Sequence, residues 1–143
     1  VKKVLLNVVG LAVLFLGVPA GAAQVTVSNA WFRSLPAHLP AGGYLTLNNS
    51  GPDVQLTGAR SPACGMLMLH KSTTSGGMAE MAMVPSVNIP HGGTVAFAPG
   101  GYHLMCTSPT AAMVPGGKVS VTLAFSDGST STVVFAVKNA TGK

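Results

Sequence analysis

His103-Leu104-Met105 is where residue type and spacing first suggest chemistry in this chain. Along an extended strand, positions i and i+2 project to one face. His103 and Met105 therefore point together, and Tyr102, Leu104 and Cys106 point the other way. The same alternation puts Met66, Met68 and His70 on one face, and Met81 and Met83 on one face with Glu80 and Ala82 opposite. Thioether sulfur is a poor donor to hard ions and a good one to Cu(I), and imidazole suits copper as well. A set of two His and two Met is neutral, which fits a monovalent soft cation. It needs no thiolate, which an oxidising compartment would tend to oxidise. Zinc would more usually recruit Cys or carboxylate.

The rest of the inventory narrows the choice. The chain holds seven Met and four His but only three acidic residues, Asp53, Glu80 and Asp127. That shortage disfavours Ca²⁺ or Mg²⁺ sites and two-carboxylate hydrolases. Met is also a flexible core filler, so Met66, Met78 and Met113 are expected in the interior, while Met68 and Met83 are candidates to line the soft-metal face. His38 and His91 lie in Pro- and Gly-rich turn sequence and are expected to be surface or structural residues.

The first 23 residues have the layout of a secretory leader. Lys2 and Lys3 precede an apolar run over 8–18, and small residues follow at 20–23. The run is too short for a bilayer core, which takes about 20 helical residues. Cleavage is expected after Ala23, with the periplasm as destination and a single domain over 24–143. Without the leader, six cations face three acids, and no two of the cations are neighbours in sequence. No clustered basic surface for nucleic acid is expected. In an oxidising compartment Cys64 and Cys106 are able to pair, and two free thiols are the alternative.

The elements that must position these residues read as strands. Period-2 alternation between turn signals recurs at 25–27 leading into 31–33, and at 44–47, 54–57, 66–71, 78–84, 94–98, 102–107, 119–125 and 133–137. Residues 72–77 read as the hairpin loop joining two Met-bearing strands. Short strands with Gly-rich turns predict one all-β sandwich or barrel, in which three neighbouring strands present His and Met to a common point.

The spacing His70, ten residues, Met81, twenty-one residues, His103, one residue, Met105 resembles the H-x10-M-x21-H-x-M signature of the PCuAC family of periplasmic copper chaperones. The resemblance extends to Trp31-x-Arg33, residues 41–47 with Asn49, Ser61-Pro62, residues 99–105 and Val121-Thr122-Leu123-x-Phe125. It implies a cupredoxin-like Greek-key β-barrel with His70, Met81, His103 and Met105 as Cu(I) ligands. It also implies a monomeric, non-enzymatic carrier that hands copper to an acceptor, such as a haem-copper oxidase subunit or another copper chaperone. A secondary Cu(II) site, at His38, His91 or a mature N-terminus, stays open. Two departures stand out. Lys71 occupies a position commonly Glu in the family, and the two Cys lie outside the signature.

Three other functions compete. A blue-copper electron carrier needs a Cys thiolate beside two His, and here Cys106 follows His103 and points away from it. A thiol–disulfide protein lacks a C-x-x-C. A metal-free periplasmic binding domain would require that the His and Met faces not converge.

Overall fold

The stretch Lys118–Phe125 shows in miniature why this chain becomes sheet. Val119, Val121, Leu123 and Phe125 are buried, and the residues between them are half-buried or exposed. A period of two with Val and Phe prominent suits a pleated surface with one face on a core. The computed structural model describes residues 24–143; the expected leader and its cleavage site lie outside the described residues.

Ten strands follow one another: β1 (Val25–Arg33), β2 (Ala41–Asn49), β3 (Val54–Arg60), β4 (Cys64–Ser75), β5 (Met78–Met83), β6 (Val87–Ile89), β7 (Thr94–Phe97), β8 (Tyr102–Pro109), β9 (Lys118–Phe125) and β10 (Thr130–Lys138). A single 3₁₀ turn, Pro36–His38, interrupts them. The hydrogen-bonded path runs β5-β4-β8-β2-β1-β10-β9-β3-β6, with β7 paired to β2. The β1–β10 pair is parallel and every other pair is antiparallel. The sheet is open, and it curls so that β3 packs against β4 without a ladder between them. The all-β, cupredoxin-like fold expected from sequence is the fold observed.

The inner face carries one core. Phe32, Leu45, Leu47, Leu56, Leu104 and Phe135 are all fully buried, and the Phe32 and Phe135 rings lie 5.1 Å apart between centroids. Gly43 lets β2 into this core: a Cβ there would stand 2.6 Å from Cε1 of Phe32. Met113 is buried as expected, but Met66 (57% exposed) and Met78 (69% exposed) are not core fillers. Met66 shares its strand face with Met68, away from the buried Leu67 and Leu69. Met78 begins β5, an edge strand with every residue exposed.

Two local readings also change. The hairpin after His70 is tighter than expected, because β4 continues through Ser75 and pairs it with Met78. Only Gly76 and Gly77 turn, at φ +59° and +80°. That two-residue left-handed geometry matches the twist of the flanking strands and favours Gly. In addition, β6 was not expected; it is three residues long, with Val87 and Ile89 buried. Cys64 and Cys106 form a disulfide, which ties the start of β4 to the interior side of β8.

Candidate metal centre

Cross-strand register decides what stands beside what. On β4 and β8, His70 lies directly opposite His103, and Met68 opposite Met105. On the other side of β4, His70 faces Met83, and Ser72 faces Met81. Directly opposed residues share a face, so His70, His103 and five thioethers including Met66 occupy the outer face of this three-stranded corner. Leu67, Leu69, Leu104 and Cys106 fill the inner face. The three strands are neighbours as expected, and their His and Met side chains share this face.

The two imidazoles are in contact, with ring centroids 5.5 Å apart and planes at 60°. His103 is 5% exposed although it belongs to the outer face, and His70 is half-buried. Nδ1 of His103 lies 3.3 Å from the Gly101 carbonyl. A proton on Nδ1 donated there leaves the Nε2 lone pair free, and Nε2 is buried with no protein partner. Nδ1 of His70 is likewise buried and unpartnered. Leaving a buried polar atom unsatisfied costs about 1–3 kcal/mol, so two such atoms on touching rings point to a ligand between them. Burial, and then the neighbouring His103, push the pKa of His70 below 6.5, which favours the neutral ring that a metal requires.

A cavity of about 610 Å³ opens beside the pair. Met81, His103, Met105 and Ser72 line one side, and Arg33, Tyr44 and Leu39 another. The row Arg33, Gly42, Met105 follows from register across β1, β2 and β8. Gly42 in the middle contributes no side chain, and a Cβ there would stand 2.8 Å from the Tyr44 hydroxyl. Met81 is 63% exposed, so the cavity is open on the β5 side. His70 touches His103 but is not part of this lining.

The far wall is aromatic and cationic. Trp31 and Tyr44 lie 4.8 Å apart between centroids, and the Arg33 guanidinium sits 5.5 Å and 5.6 Å from their rings. The Lys138 ammonium also lies 5.0 Å from the Trp31 ring. Cations separated in sequence thus become neighbours, because β1 pairs with β10 at Arg33 and Lys138. Residue-by-residue reading gave this wall no role. The signal available was the Trp31-x-Arg33 and Gly42–Tyr44 blocks, which belong to the family resemblance.

His38 is exposed in the 3₁₀ turn between cavity-lining Leu35 and Leu39. His91 is a structural residue: its Nδ1 lies 2.6 Å from the Gly51 carbonyl, and its backbone N–H donates to Asp53. Among the described residues, no group of three or more His, Cys, Asp or Glu is placed to share an ion. The soft donors that line the cavity beside His103 are the thioethers of Met81 and Met105.

Residues 25–137 match the family model described as "Putative lipoprotein LpqE-like". The chain belongs to the LpqE-like family. A relative, "Putative lipoprotein Lxx21020" of Leifsonia xyli subsp. xyli, is 37% identical over 99% of this chain and 89% of its own length. Among solved structures, the copper-bound PCuAC domain from PmoF2 superposes with a TM-score of 0.68 at 22% identity, over 82% of this chain and 95% of that one. At that identity it speaks for the cupredoxin-like fold. The solution structure of CuI-DR1885 from Deinococcus radiodurans matches at TM-score 0.67 with 36% identity, over 83% of this chain and 81% of that one. PCuAC-domain neighbours thus surround an LpqE-like chain.

Proposed function

We propose that this protein is an extracytoplasmic copper chaperone that binds Cu(I) through His70, Met81, His103 and Met105 and releases it to an acceptor protein. The observation that carries the reading is the pair of buried, unpartnered ring nitrogens on His70 and His103, on a strand face shared with thioethers. Metal–nitrogen bonds of about 2 Å allow one ion to sit between rings at this spacing. The H-x10-M-x21-H-x-M signature supplies the two Met, and the 36%-identical CuI-DR1885, named as a Cu(I) form, supports the oxidation state.

Transfer, not catalysis, suits the construction. Thioethers are individually weak donors, and Met81 comes from an exposed edge hairpin, so incoming ligands can replace them one at a time. A copper centre of a haem-copper oxidase is the acceptor we favour. The leader-like residues 1–23, the disulfide and the lipoprotein names of the relatives support export to the periplasm or its membrane surface. Of the turn histidines, His38 is the better candidate for a secondary Cu(II) site, because Nδ1 of His91 is already engaged. A blue-copper carrier is disfavoured, since both cysteines are joined in the disulfide and neither offers a thiolate.

A competition titration with a Cu(I) chelator tests the assignment. One equivalent should bind tightly, and Met81→Ala and Met105→Ala should each weaken it. Unchanged affinity in both variants would overturn the ligand set, and an intense blue band on Cu(II) loading would overturn the chaperone reading.

A further inference from the structure

The signature uses two of the five thioethers on this face and leaves Met66, Met68 and Met83 unexplained; the last two are the ones next to His70. Met83 stands directly opposite His70 on β5, closer in register than Met81, which faces Ser72. Met68 stands two residues before His70 on the same face, opposite Met105. These two side chains do not share the first cavity. They line a separate one of about 370 Å³ between β4 and β3, with Thr57, Ala59 and Val84. His70 lines neither cavity but has a neighbour from each group, His103 across β8 and Met83 across β5, and its buried Nδ1 is unpartnered.

We propose that Met68 and Met83 form a second station for Cu(I), and that the ion moves between the two stations while His70 remains bound. The inference rests on the copper reading above and extends it to a route. The move breaks bonds from copper to the His103 nitrogen and the Met81 and Met105 sulfurs, and makes bonds to the Met68 and Met83 sulfurs. Copper stays Cu(I), and no proton or electron changes place. The two stations differ in donors, not in exposure, since Met81 (63% exposed) and Met83 (68% exposed) are equally open. The first includes the almost wholly covered His103 imidazole, whereas the second adds only thioethers to His70, so it holds the ion more weakly and can pass it on to an acceptor. Neutral thioethers on an exposed strand serve that purpose, because soft donors select Cu(I) over the harder ions in solution.

Methyl NMR on protein carrying ¹³C-labelled Met side chains, titrated anaerobically with Cu(I) alone, reads each thioether separately. In the wild type the first equivalent should shift the Met81 and Met105 methyls most. In the double variant Met81→Leu, Met105→Leu, of similar side-chain volume, the large shifts should pass to Met68 and Met83. Shifts at Met81 and Met105 in the wild type, with Met68 and Met83 unmoved in both proteins, would overturn the second station alone. Silence at all four methyls in the wild type would overturn the copper reading as well. The complementary variant Met68→Leu, Met83→Leu should bind the first equivalent as the wild type does but lose it more slowly to a bicinchoninate chelator. An unchanged rate of loss would remove the route.

Discussion

Two histidine environments at opposite ends of the sheet show how this protein divides its polar groups. At one end His91 is satisfied: its ring nitrogen meets Gly51, its backbone meets Asp53, and Asn49 nearby bonds Pro52 and Ile89. At the other end His70 and His103 touch and leave buried nitrogens without partners. The satisfied corner uses side-chain hydrogen bonds to fix loops. The unsatisfied one is fixed by other means, a register that aligns the two rings and a disulfide that ties β4 to β8. On the proposed reading the unpaired nitrogens receive the ion, whereas the same residue type paired to backbone is scaffold.

The sharpest way to break this contrast is to remove the covalent tie. Closing a loop over a separation of 42 residues is worth about 4 kcal/mol in the chain-entropy picture. The Cys64→Ser, Cys106→Ala variant should therefore melt roughly 15 °C lower by calorimetry. Next in size is the exchange of roles. His103→Ala should weaken Cu(I) binding by at least roughly 100-fold, since even groups that merely orient metal ligands are worth 10–100-fold. His91→Ala should leave copper affinity unchanged in the same titration and lower unfolding stability by about 1–2 kcal/mol. If His91→Ala weakened copper binding as much as His103→Ala, the division between scaffold and receptor would fail.

A subtler test uses acid. Burial, then His103, hold the pKa of His70 below 6.5. The unfolded chain, with its ordinary imidazole, takes up a proton first as pH falls. The contribution of neutral His70 to stability is thus full above about pH 6.5 and lost as pH drops toward the lowered folded value. Denaturant midpoints of the metal-free protein should fall over that window, and His70→Gln should flatten the fall. Smallest of all is Met78→Ala: the side chain is exposed, and the change in stability should stay within about 0.5 kcal/mol.

The strand pattern was legible because alternation is local. The facing of His103 with Met105, and of Cys106 away from both, follows from the pleat alone and is what the structure contains. Met66 and Met78 were misjudged for a related reason: alternation says which residues share a face, not which face meets the core. On β4 the inner face went to Leu67 and Leu69, and β5 lies at the sheet edge with no layer over it. The long reach of β4 to Ser75 was obscured by polar Ser and Thr residues that read as loop. They are in fact the strand half of a two-glycine hairpin. The Arg33 and Lys138 pairing was beyond sequence reading, since parallel contact between β1 and β10 joins the two ends of the domain.

By itself the sequence determined the donor chemistry: many thioethers, few carboxylates, two histidines in strand contexts, and faces sorted by a period of two. It also determined the strands, because side-chain alternation and turn glycines act over a few residues. Tertiary structure alone decided that His70 meets His103 and that Met83 rather than Met81 is its direct cross-strand neighbour. It also decided that Tyr44 and Arg33 wall the cavity and that Cys64 reaches Cys106. Those outcomes depend on strand order and register, and a shift of one residue in pairing would carry every one of these side chains to the opposite face.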